Sequence, residues 1–271
     1  VFVPGSDYCG KVVDIGKNAQ GFTKGQFVFG AKIGDYAHGT LAQYVAINKE
    51  HAIALPDGVR PQDAATAGIC GLTSFQAISP NVKQGDKVFI NGGSGGTGVY
   101  AVQIAKALGC HVTTTCSTPN VELCKSLGAD EVIDYKTTDV VKALSSQGPV
   151  FKLVVDNVGS PSNLYKASTA FILPGGKFSQ VGMTPSLSGM MQVSSNMLRP
   201  GFLGGGKAKY MMVVGQGSKS NLQQIGAWLQ DGKVKAVLDG VYEWEDAKKA
   251  YEKVKTGRTR GKIVIKVPQD G

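Results

Sequence analysis

The sequence predicts an α/β fold: a doubly wound parallel sheet accompanied by a smaller β-rich part. Three observations carry this. Between Gly85 and about Val214, short apolar runs alternate with segments of helical periodicity, the pattern of parallel strands joined by crossover helices. The first strand–helix pair is joined by the glycine-rich turn Gly92-Gly93-Ser94-Gly95-Gly96-Thr97-Gly98. The preceding residues, up to about position 60, lack the alternation and instead carry short β-branched or aromatic segments.

In that first part, strands are expected at Tyr8–Ile15, Phe27–Phe29, Leu41–Ile47 and Ala52–Leu55, with Gly16, Gly21, Gly25, Gly34 and Gly39 as turn signals between them. Asp63–Ile78, after Pro61, reads as a helix or helix-turn-helix, with Gly68 and Gly71 as points of close packing. The alternating region then gives strands at Lys87–Asn91, His111–Cys116, Glu131–Tyr135, Phe151–Val155, Lys177–Val181 and Tyr210–Val214. Helices are expected between them at Gly96–Leu108, Asn120–Leu127, Asp139–Ser145 and Leu164–Ile172, with Gly128 stopping the second. Beyond Gly215, a helix with Leu222, Ile225 and Leu229 on one face ends at Asp231-Gly232. Strand Ala236–Val241, helix Glu245–Val254 and strand Lys262–Val267 follow. No internal repeat or low-complexity segment interrupts the chain.

The turn after Lys87–Asn91 carries chemistry. Gly93, Gly95 and Gly98 stand in G-x-G-x-x-G spacing, preceded by the apolar run Val88-Phe89-Ile90 and followed by a helix with Val99, Val102, Ala105 and Leu108 on one face. Without Cβ atoms the chain can turn tightly, a pyrophosphate can approach the backbone, and the helix can pack close to the strand. The free N–H groups and positive dipole end of that helix then face the phosphates. The spacing alone is weak; with strand and helix on the correct sides it reads as a dinucleotide fingerprint.

The end of the second strand discriminates between cofactors. An NAD-preferring site places Asp or Glu about 20 residues past the glycines, on the ribose 2′-hydroxyl. Here that place reads Cys116-Ser117-Thr118-Pro119-Asn120, and the first acid is Glu122. Ser117 can donate to a 2′-phosphate, Tyr135 can add its hydroxyl, and Lys136 or Lys125 can add charge. Ser117 also reads as a turn or cap residue and Tyr135 as an ordinary strand-end aromatic. Together they favour NADPH, with no arginine adjacent.

Composition bounds the rest. At 271 residues, with 42% hydrophobic and 18% charged residues and 37 glycines, the chain can hold one large or two modest globular domains. No run approaches the roughly 18 apolar residues of a membrane span, and nothing resembles a signal peptide. The chain opens on Val1-Phe2-Val3-Pro4-Gly5 inside what reads as structured sequence, so a preceding N-terminal segment is expected. The five cysteines (Cys9, Cys70, Cys110, Cys116, Cys124) are never spaced C-x-x-C and read as small buried hydrophobes in a reducing compartment. His38, His51 and His111 are scattered, and no ligand spacing for a metal stands out. The net charge of +9 is spread along the chain, as in a solvated basic surface; attraction of an anionic ligand or nucleic acid is the other reading.

Taken in sequence, these residues resemble the medium-chain dehydrogenase/reductase superfamily, in its zinc-free quinone oxidoreductase-like branch. The residues that carry the resemblance are Gly95-x-x-Gly98-x-x-Ala101-x-Gln103, the segments Ile90–Gly96, Leu127–Tyr135 and Asp156-Asn157-Val158-Gly159, Gly71-Leu72-Thr73, and the closing Arg260-Gly261-Lys262-Ile263-Val264-Ile265. Within the branch they are similar to the mitochondrial reticulon-interacting quinone reductase-like group and its fungal relatives.

The resemblance implies a Rossmann domain over 76–215 and a GroES-like catalytic domain formed by 1–75 and 216–271, with the acceptor in the cleft between them. Ser94, Gly95, Gly96, Thr97, Gly98, Ser117 and Tyr135 would serve the cofactor phosphates and ribose. Asn157 and Val158 would serve the adenosine ribose or bridging region, and Thr73, Val181 and Leu203 the nicotinamide. Zinc members carry Gly-His-Glu where this chain has Gly5-Ser6-Asp7, so the histidine ligand is gone. In some quinone reductases a lysine that contacts the 2′-phosphate answers Asn120.

The activity implied is zinc-independent, NADPH-dependent hydride transfer to a quinone or an α,β-unsaturated carbonyl. Tyr36, His38 and Tyr44 are nameable as proton donors, yet each reads better as a packing or surface residue, so the catalytic residue stays open. The alternatives are a trans-acting enoyl reductase and a cofactor-binding structural or RNA-binding protein without turnover. The expected setting is the cytoplasm, with the mitochondrion as alternative. The expected partner is a small-molecule quinone or enone, with no membrane and no nucleic acid; a homodimer through the edge strand Tyr210–Val214 is possible.

Overall fold

A computed structural model of the chain describes residues 2–34, 37–182, 187–198 and 206–268. The chain forms two compact units, one made of residues up to Leu72 together with those from Gly215 onward, the other of Thr73–Val214.

In chain order, strands β1 (Asp7–Lys11), β2 (Phe27–Ala31) and β3 (Ala52–Ala54) precede the short helix α1 (Pro61–Ala64) and α2 (Gly68–Ile78). Then come β4 (Lys87–Asn91), α3 (Gly96–Ala107), β5 (His111–Cys116), α4 (Val121–Ser126), β6 (Glu131–Asp134), α5 (Val140–Ser145) and β7 (Phe151–Asp156). After these follow α6 (Leu164–Ala167), β8 (Ile172–Gln180), α7 (Leu187–Leu198) and β9 (Lys209–Met212). The chain closes with α8 (Lys219–Gln230), β10 (Leu238–Tyr242), α9 (Ala247–Lys255) and β11 (Lys262–Ile265).

The second unit is a six-stranded sheet of order β6-β5-β4-β7-β8-β9, and every pairing in it is parallel. Its central strands are buried on both faces, so β4 and β7 read as apolar runs in place of alternating ones, while β5 fills the same setting with Thr113, Thr114 and Thr115. On one face, Phe89, Phe151 and Phe171 meet with ring centroids 6.0–6.5 Å apart, tilted or edge-on, and Tyr165, Phe178 and Tyr210 continue the cluster. The first unit holds an antiparallel sheet β1-β2-β3 and the parallel pair β10-β11.

Three expectations are corrected. Leu41–Ile47 is not a strand: the backbone there runs without ladder pairing, so β-branched content alone did not make one. The helix expected at Leu164–Ile172 ends at Ala167, continues as a 3₁₀ turn over Ser168–Ala170, and gives way to β8, which starts at Ile172, five residues ahead of the expected start at Lys177. Pro174-Gly175-Gly176 lies inside β8 and hid its beginning; the pairing with β7 shifts register there, between Phe151 and Leu153. Helix α7 was not anticipated.

A largely enclosed ion pair organises the first unit. Lys262 Nζ of β11 lies 2.7 Å from Asp7 Oδ2 of β1 and 3.3 Å from Cys70 Sγ of α2, while Asp7 Oδ1 accepts the Ile69 N–H. Burial disfavours the charged ammonium, but the Asp7 carboxylate and the hydrogen bonds to Asp7 and the Cys70 sulfur outweigh it and hold Lys262 protonated. Gly68 is required beside it, because a Cβ there would lie 2.2 Å from Gly30 O.

In the second unit, Asp130 ties the end of α3 to the start of β5. Its carboxylate accepts Lys106 Nζ at 2.8 and 2.9 Å and the Val112 N–H at 2.7 Å. Burial raises its pKa, yet these hydrogen bonds and the Lys106 charge bring it below the ordinary carboxylate value. A carboxylate whose native pKa lies below its unfolded value stabilises above the unfolded pKa, near 3.9, and loses that contribution as pH falls through the native one. Asp130→Asn is therefore expected to cost about 1–2 kcal/mol at neutral pH. The difference from the parent should close below about pH 4. Urea denaturation at both pH values measures it, and a pH-independent difference would refute the electrostatic assignment.

Candidate cofactor site

The winding of the six-stranded sheet reverses at β4, with β5 and β6 on one side and β7, β8 and β9 on the other. Open α/β sheets bind ligands in the crevice beyond the carboxyl ends of the strands at such a switch point. The glycine loop leaves β4 there. The tight turn falls on Gly92, with φ of +82°, one residue ahead of the fingerprint. A Cβ on Gly93 would lie 2.2 Å from Thr114 Oγ1, and one on Gly98 would lie 2.0 Å from Gly92 O, so both are demanded by packing. A Cβ on Gly95 would meet nothing nearer than 3.8 Å. That face of the backbone is open, as close approach of a phosphate requires. Helix α3 begins at Gly96 without a side-chain cap, so the positive end of its dipole and its first backbone N–H groups lie at this edge. The donor set at this end fits an anion.

The loops after β5 and β6 come to the same edge. Asn120 Nδ2 donates to Ser94 Oγ at 3.3 Å and to Ser117 Oγ at 3.2 Å, joining the glycine loop to the end of β5. The Tyr135 N–H donates to Cys116 O at 3.1 Å, which sets Tyr135 beside Ser117 with its ring half exposed. Lys136 Nζ lies 5.5 Å from the centre of that ring, and Lys125 is paired with Glu122 at 2.9 Å. Asp134 was not foreseen here. Its carboxylate is held below the usual range by the Thr118 hydroxyl and the Lys136 N–H, next to Ser117.

The loops after β7 and β8 close the other side. A Cβ on Gly92 would lie 2.5 Å from Val158 Cγ2, and one on Gly182 would lie 1.9 Å from Asn157 O. Val158 therefore covers the glycine turn, and Asn157 sits between the ends of β4 and β8. Val181 follows β8 and donates its N–H to Asp156 O at 2.8 Å. Thr73 is buried in α2, whose Ser74 hydroxyl donates to Thr97 O at 3.1 Å. Thus Ser94, Gly95, Gly96, Thr97, Gly98, Ser117, Tyr135, Asn157, Val158 and Val181 gather at one edge of the sheet, with Thr73 behind the glycine loop. Leu203 lies outside the described residues, as does Tyr36. Two buried acceptors in this ring, Asn120 Oδ1 and Asn157 Oδ1, have no hydrogen-bond partner. Such orphans cost about 1–3 kcal/mol each unless something supplies a donor. Hydroxyl and amide donors of a dinucleotide match that need, and the residues present fit such a cofactor.

Sequence reasoning missed what holds these loops. Asn91, the last residue of β4, donates through Nδ2 to Asp156 Oδ1 at 2.8 Å and to Ser160 O at 2.7 Å, and its Oδ1 accepts the Thr115 hydroxyl at 2.6 Å. Thr115 Oγ1 accepts in turn the Gly92 N–H at 2.8 Å. Asp156 Oδ1 also accepts the N–H groups of Val158 at 3.0 Å and Gly159 at 2.9 Å. Burial pushes the Asp156 carboxyl above its ordinary range, and the Gly159 and Val158 N–H groups with the Asn91 amide pull it partly back. The signal in the sequence was a polar residue closing each of two apolar strands, Asn91 at the end of β4 and Asp156 at the end of β7.

Zinc does not fit the first unit. Ser6 stands where the histidine ligand of zinc members would be, Asp7 is committed to Lys262 and the Ile69 N–H, and Cys70 is bonded by Lys262. Among the described residues, no group of three or more His, Cys, Asp or Glu side chains is placed to hold a metal ion.

Replacing Asn91 by alanine strands the Asp156 carboxylate and the Thr115 hydroxyl. The expected loss is about 2–4 kcal/mol in unfolding free energy, read from the urea midpoint. Gly98→Val is expected to be at least as damaging, since its side chain would enter the Gly92 carbonyl. An unchanged midpoint in either variant would contradict the packing described.

Comparison with known proteins agrees with this architecture. The family described as "Zinc-binding dehydrogenase" matches residues 127–265, and the "Alcohol dehydrogenase GroES-like domain" matches residues 2–57. The chain is 44% identical to the trans-enoyl reductase pgmF of Aspergillus terreus over 98% of its own length and 77% of that protein. It is 31% identical to the human mitochondrial NAD(P)H oxidoreductase RTN4IP1, over 97% of this chain and 70% of that one. Among solved structures, the quinone oxidoreductase from Coxiella burnetii superimposes with a TM-score of 0.84 at 28% identity, covering 98% of this chain and 80% of that one. With its parallel six-stranded sheet and GroES-like N-terminal part, the chain belongs to the medium-chain dehydrogenase/reductase superfamily.

Proposed function

We propose that the protein is a zinc-independent, NADPH-dependent reductase acting on a quinone or an α,β-unsaturated carbonyl. In this reading, residues 76–215 bind the cofactor, and 1–75 with 216–271 form the catalytic domain. The observation that carries the cofactor preference is the hydroxyl–amide cluster Ser94–Asn120–Ser117 at the end of β5, where an NAD-preferring site would place a carboxylate. Asp134, the nearby acid, is engaged by Thr118 and the Lys136 N–H. Relatives named as NAD(P)H oxidoreductase, quinone oxidoreductase and trans-enoyl reductase support the reaction class.

The bound cofactor would supply a hydride from its nicotinamide ring. The chain's own residues bind and orient. The glycine loop and the start of α3 hold phosphate, Ser117 and Tyr135 take the 2′-phosphate, Asn157 and Val158 meet the adenosine ribose or bridging region, and Thr73 and Val181 wall the nicotinamide end. Asn91 and Asp156 keep these loops in place, so orientation is built before the acceptor arrives.

A second reading, a trans-acting enoyl reductase, is favoured by the 44% identity to pgmF. We further propose the cytoplasm, or alternatively the mitochondrion, as its compartment, and a homodimer through the outer edge of β9.

Titration of the purified chain with NADPH and NADH is expected to show at least roughly tenfold tighter binding of NADPH. Ser117→Asp should reverse the preference by placing a charge against the 2′-phosphate; equal affinities in the parent would defeat the assignment. A turnover screen with ortho-quinones, 2-alkenals and 2-enoyl thioesters then separates the two readings, since activity confined to carrier-bound thioesters would select the second. No oxidation of NADPH by any of them, together with RNA binding of steep salt dependence, would overturn both in favour of a non-enzymatic role.

A further inference from the structure

One nitrogen holds two hydroxyls from different loops. Asn120 closes the 3₁₀ turn Thr118–Asn120 that follows β5. Its Nδ2 donates to Ser94 Oγ of the glycine loop at 3.3 Å and to Ser117 Oγ at 3.2 Å. A carboxamide nitrogen carries two hydrogens and accepts nothing, so these two bonds exhaust it. Each serine hydroxyl has one proton and two acceptor lone pairs. Accepting from Asn120 uses a lone pair and leaves the proton of each hydroxyl to be given elsewhere. Both serines are partly exposed, and neither hydroxyl donates to another group among the described residues. The third arm of the same amide, Asn120 Oδ1, is buried without a partner.

The orientation of this amide decides what the pair of serines can do. Turned over, it would accept from both hydroxyls and draw both protons inward. As it stands, it presents two hydroxyl donors from strand ends whose spacing is already set by the bonds of Thr115 to Asn91 and to the Gly92 N–H. The acid at the end of β6, Asp134, accepts from the Thr118 hydroxyl and the Lys136 N–H, so it does not compete for the serine protons. Two aimed hydroxyl donors beside one unsatisfied acceptor suit an anionic group with a hydroxyl next to it. Hydrogen bonds to a charged oxygen are the strong kind, and a neutral hydroxyl in its place gains much less from the same donors.

We propose that Asn120 is the positioning residue that sets the choice of cofactor: it turns the protons of Ser94 and Ser117 toward the 2′-phosphate, and its own oxygen accepts the adjoining ribose hydroxyl. The inference rests on the NADPH reading above and adds to it the residue on which the discrimination depends. Ser117 alone could rotate its proton toward the protein or toward solvent. Held by Asn120 as an acceptor, it is left as a donor, and Ser94 is left as a second one. Discrimination then comes from the direction of two neutral O–H groups and not from a cation.

The test is calorimetric titration of the full chain with 2′,5′-ADP and with 5′-AMP, which differ by the 2′-phosphate alone. The parent should bind 2′,5′-ADP at least about tenfold tighter. Asn120→Ala frees both hydroxyls to turn and should narrow that ratio about fivefold, with 5′-AMP changed by less than about threefold. Asn120→Asp keeps the shape but can only accept, so both serine protons turn inward and a negative charge faces the phosphate; the ratio should fall about a hundredfold. In a Ser94→Ala, Ser117→Ala background, adding Asn120→Ala should move the ratio less than about twofold, because the residue acts through those hydroxyls. A parent that does not distinguish the two nucleotides defeats the NADPH reading and this inference with it. A parent that distinguishes them, with a ratio unchanged in both Asn120 variants, defeats this inference alone. Equal loss of both nucleotides in the two variants also overturns it, since Asn120 would then be only a latch between loops. So does an undiminished effect of Asn120→Ala in the double-serine background.

Discussion

Everything at the carboxyl edge of the large sheet hangs on the carboxamide of Asn91. It stands at the end of the strand where the winding reverses, so its two neighbours in the sheet belong to opposite halves of the fold. By accepting from Thr115 on one side and donating to Asp156 on the other, it couples the ends of β5, β4 and β7. Buried polar groups of this kind are costly unless every member is satisfied, and satisfied ones leave little freedom. The glycine turn is tied into the same chain through the Gly92 N–H. Two acceptors beside it, the side-chain oxygens of Asn120 and Asn157, remain without a partner.

The first unit solves a different problem with related means. Where zinc members of the superfamily gather metal ligands, this chain has a serine and an aspartate, and the aspartate closes on Lys262 and the start of α2. The pair joins β1, α2 and β11, segments far apart in sequence. A buried ammonium without its carboxylate would be strongly destabilising, so neither partner is free for other chemistry. The consequence for function is that activation of the acceptor has to come from the cofactor's position and from groups other than a metal held at this place.

Helix α7 shows how an amphipathic pattern can mislead. Leucine and methionine at i, i+3, i+4 spacing ordinarily mark the buried face. Here Gly189 and Val193 are the buried positions, and Gln192 beside them donates to the Ser162 carbonyl. The apolar face is left to whatever lies outside the unit.

The sequence by itself determined the strand–helix alternation, the register of the glycine fingerprint and the absence of an acid at Ser117. Each is a local matter: apolar runs buried on both faces, glycines with no room for a Cβ, and one residue type at one strand end. It also named Tyr135 and Asn157, which the fold brings to the edge of the sheet where the glycine turn lies. It could not show the start of β8, where Pro174 and two glycines mimic a loop, nor that Leu41–Ile47 finds no partner strand. Nor could it show that Asn91, Thr115 and Asp156, 24 and 65 residues from Asn91, form one hydrogen-bonded chain. Such facts depend on which strands become neighbours and on which side of a helix meets them. Those are set only when the sheet closes, because hydrogen bonding across strands and burial of one helix face are properties of the assembled unit and not of any segment in it.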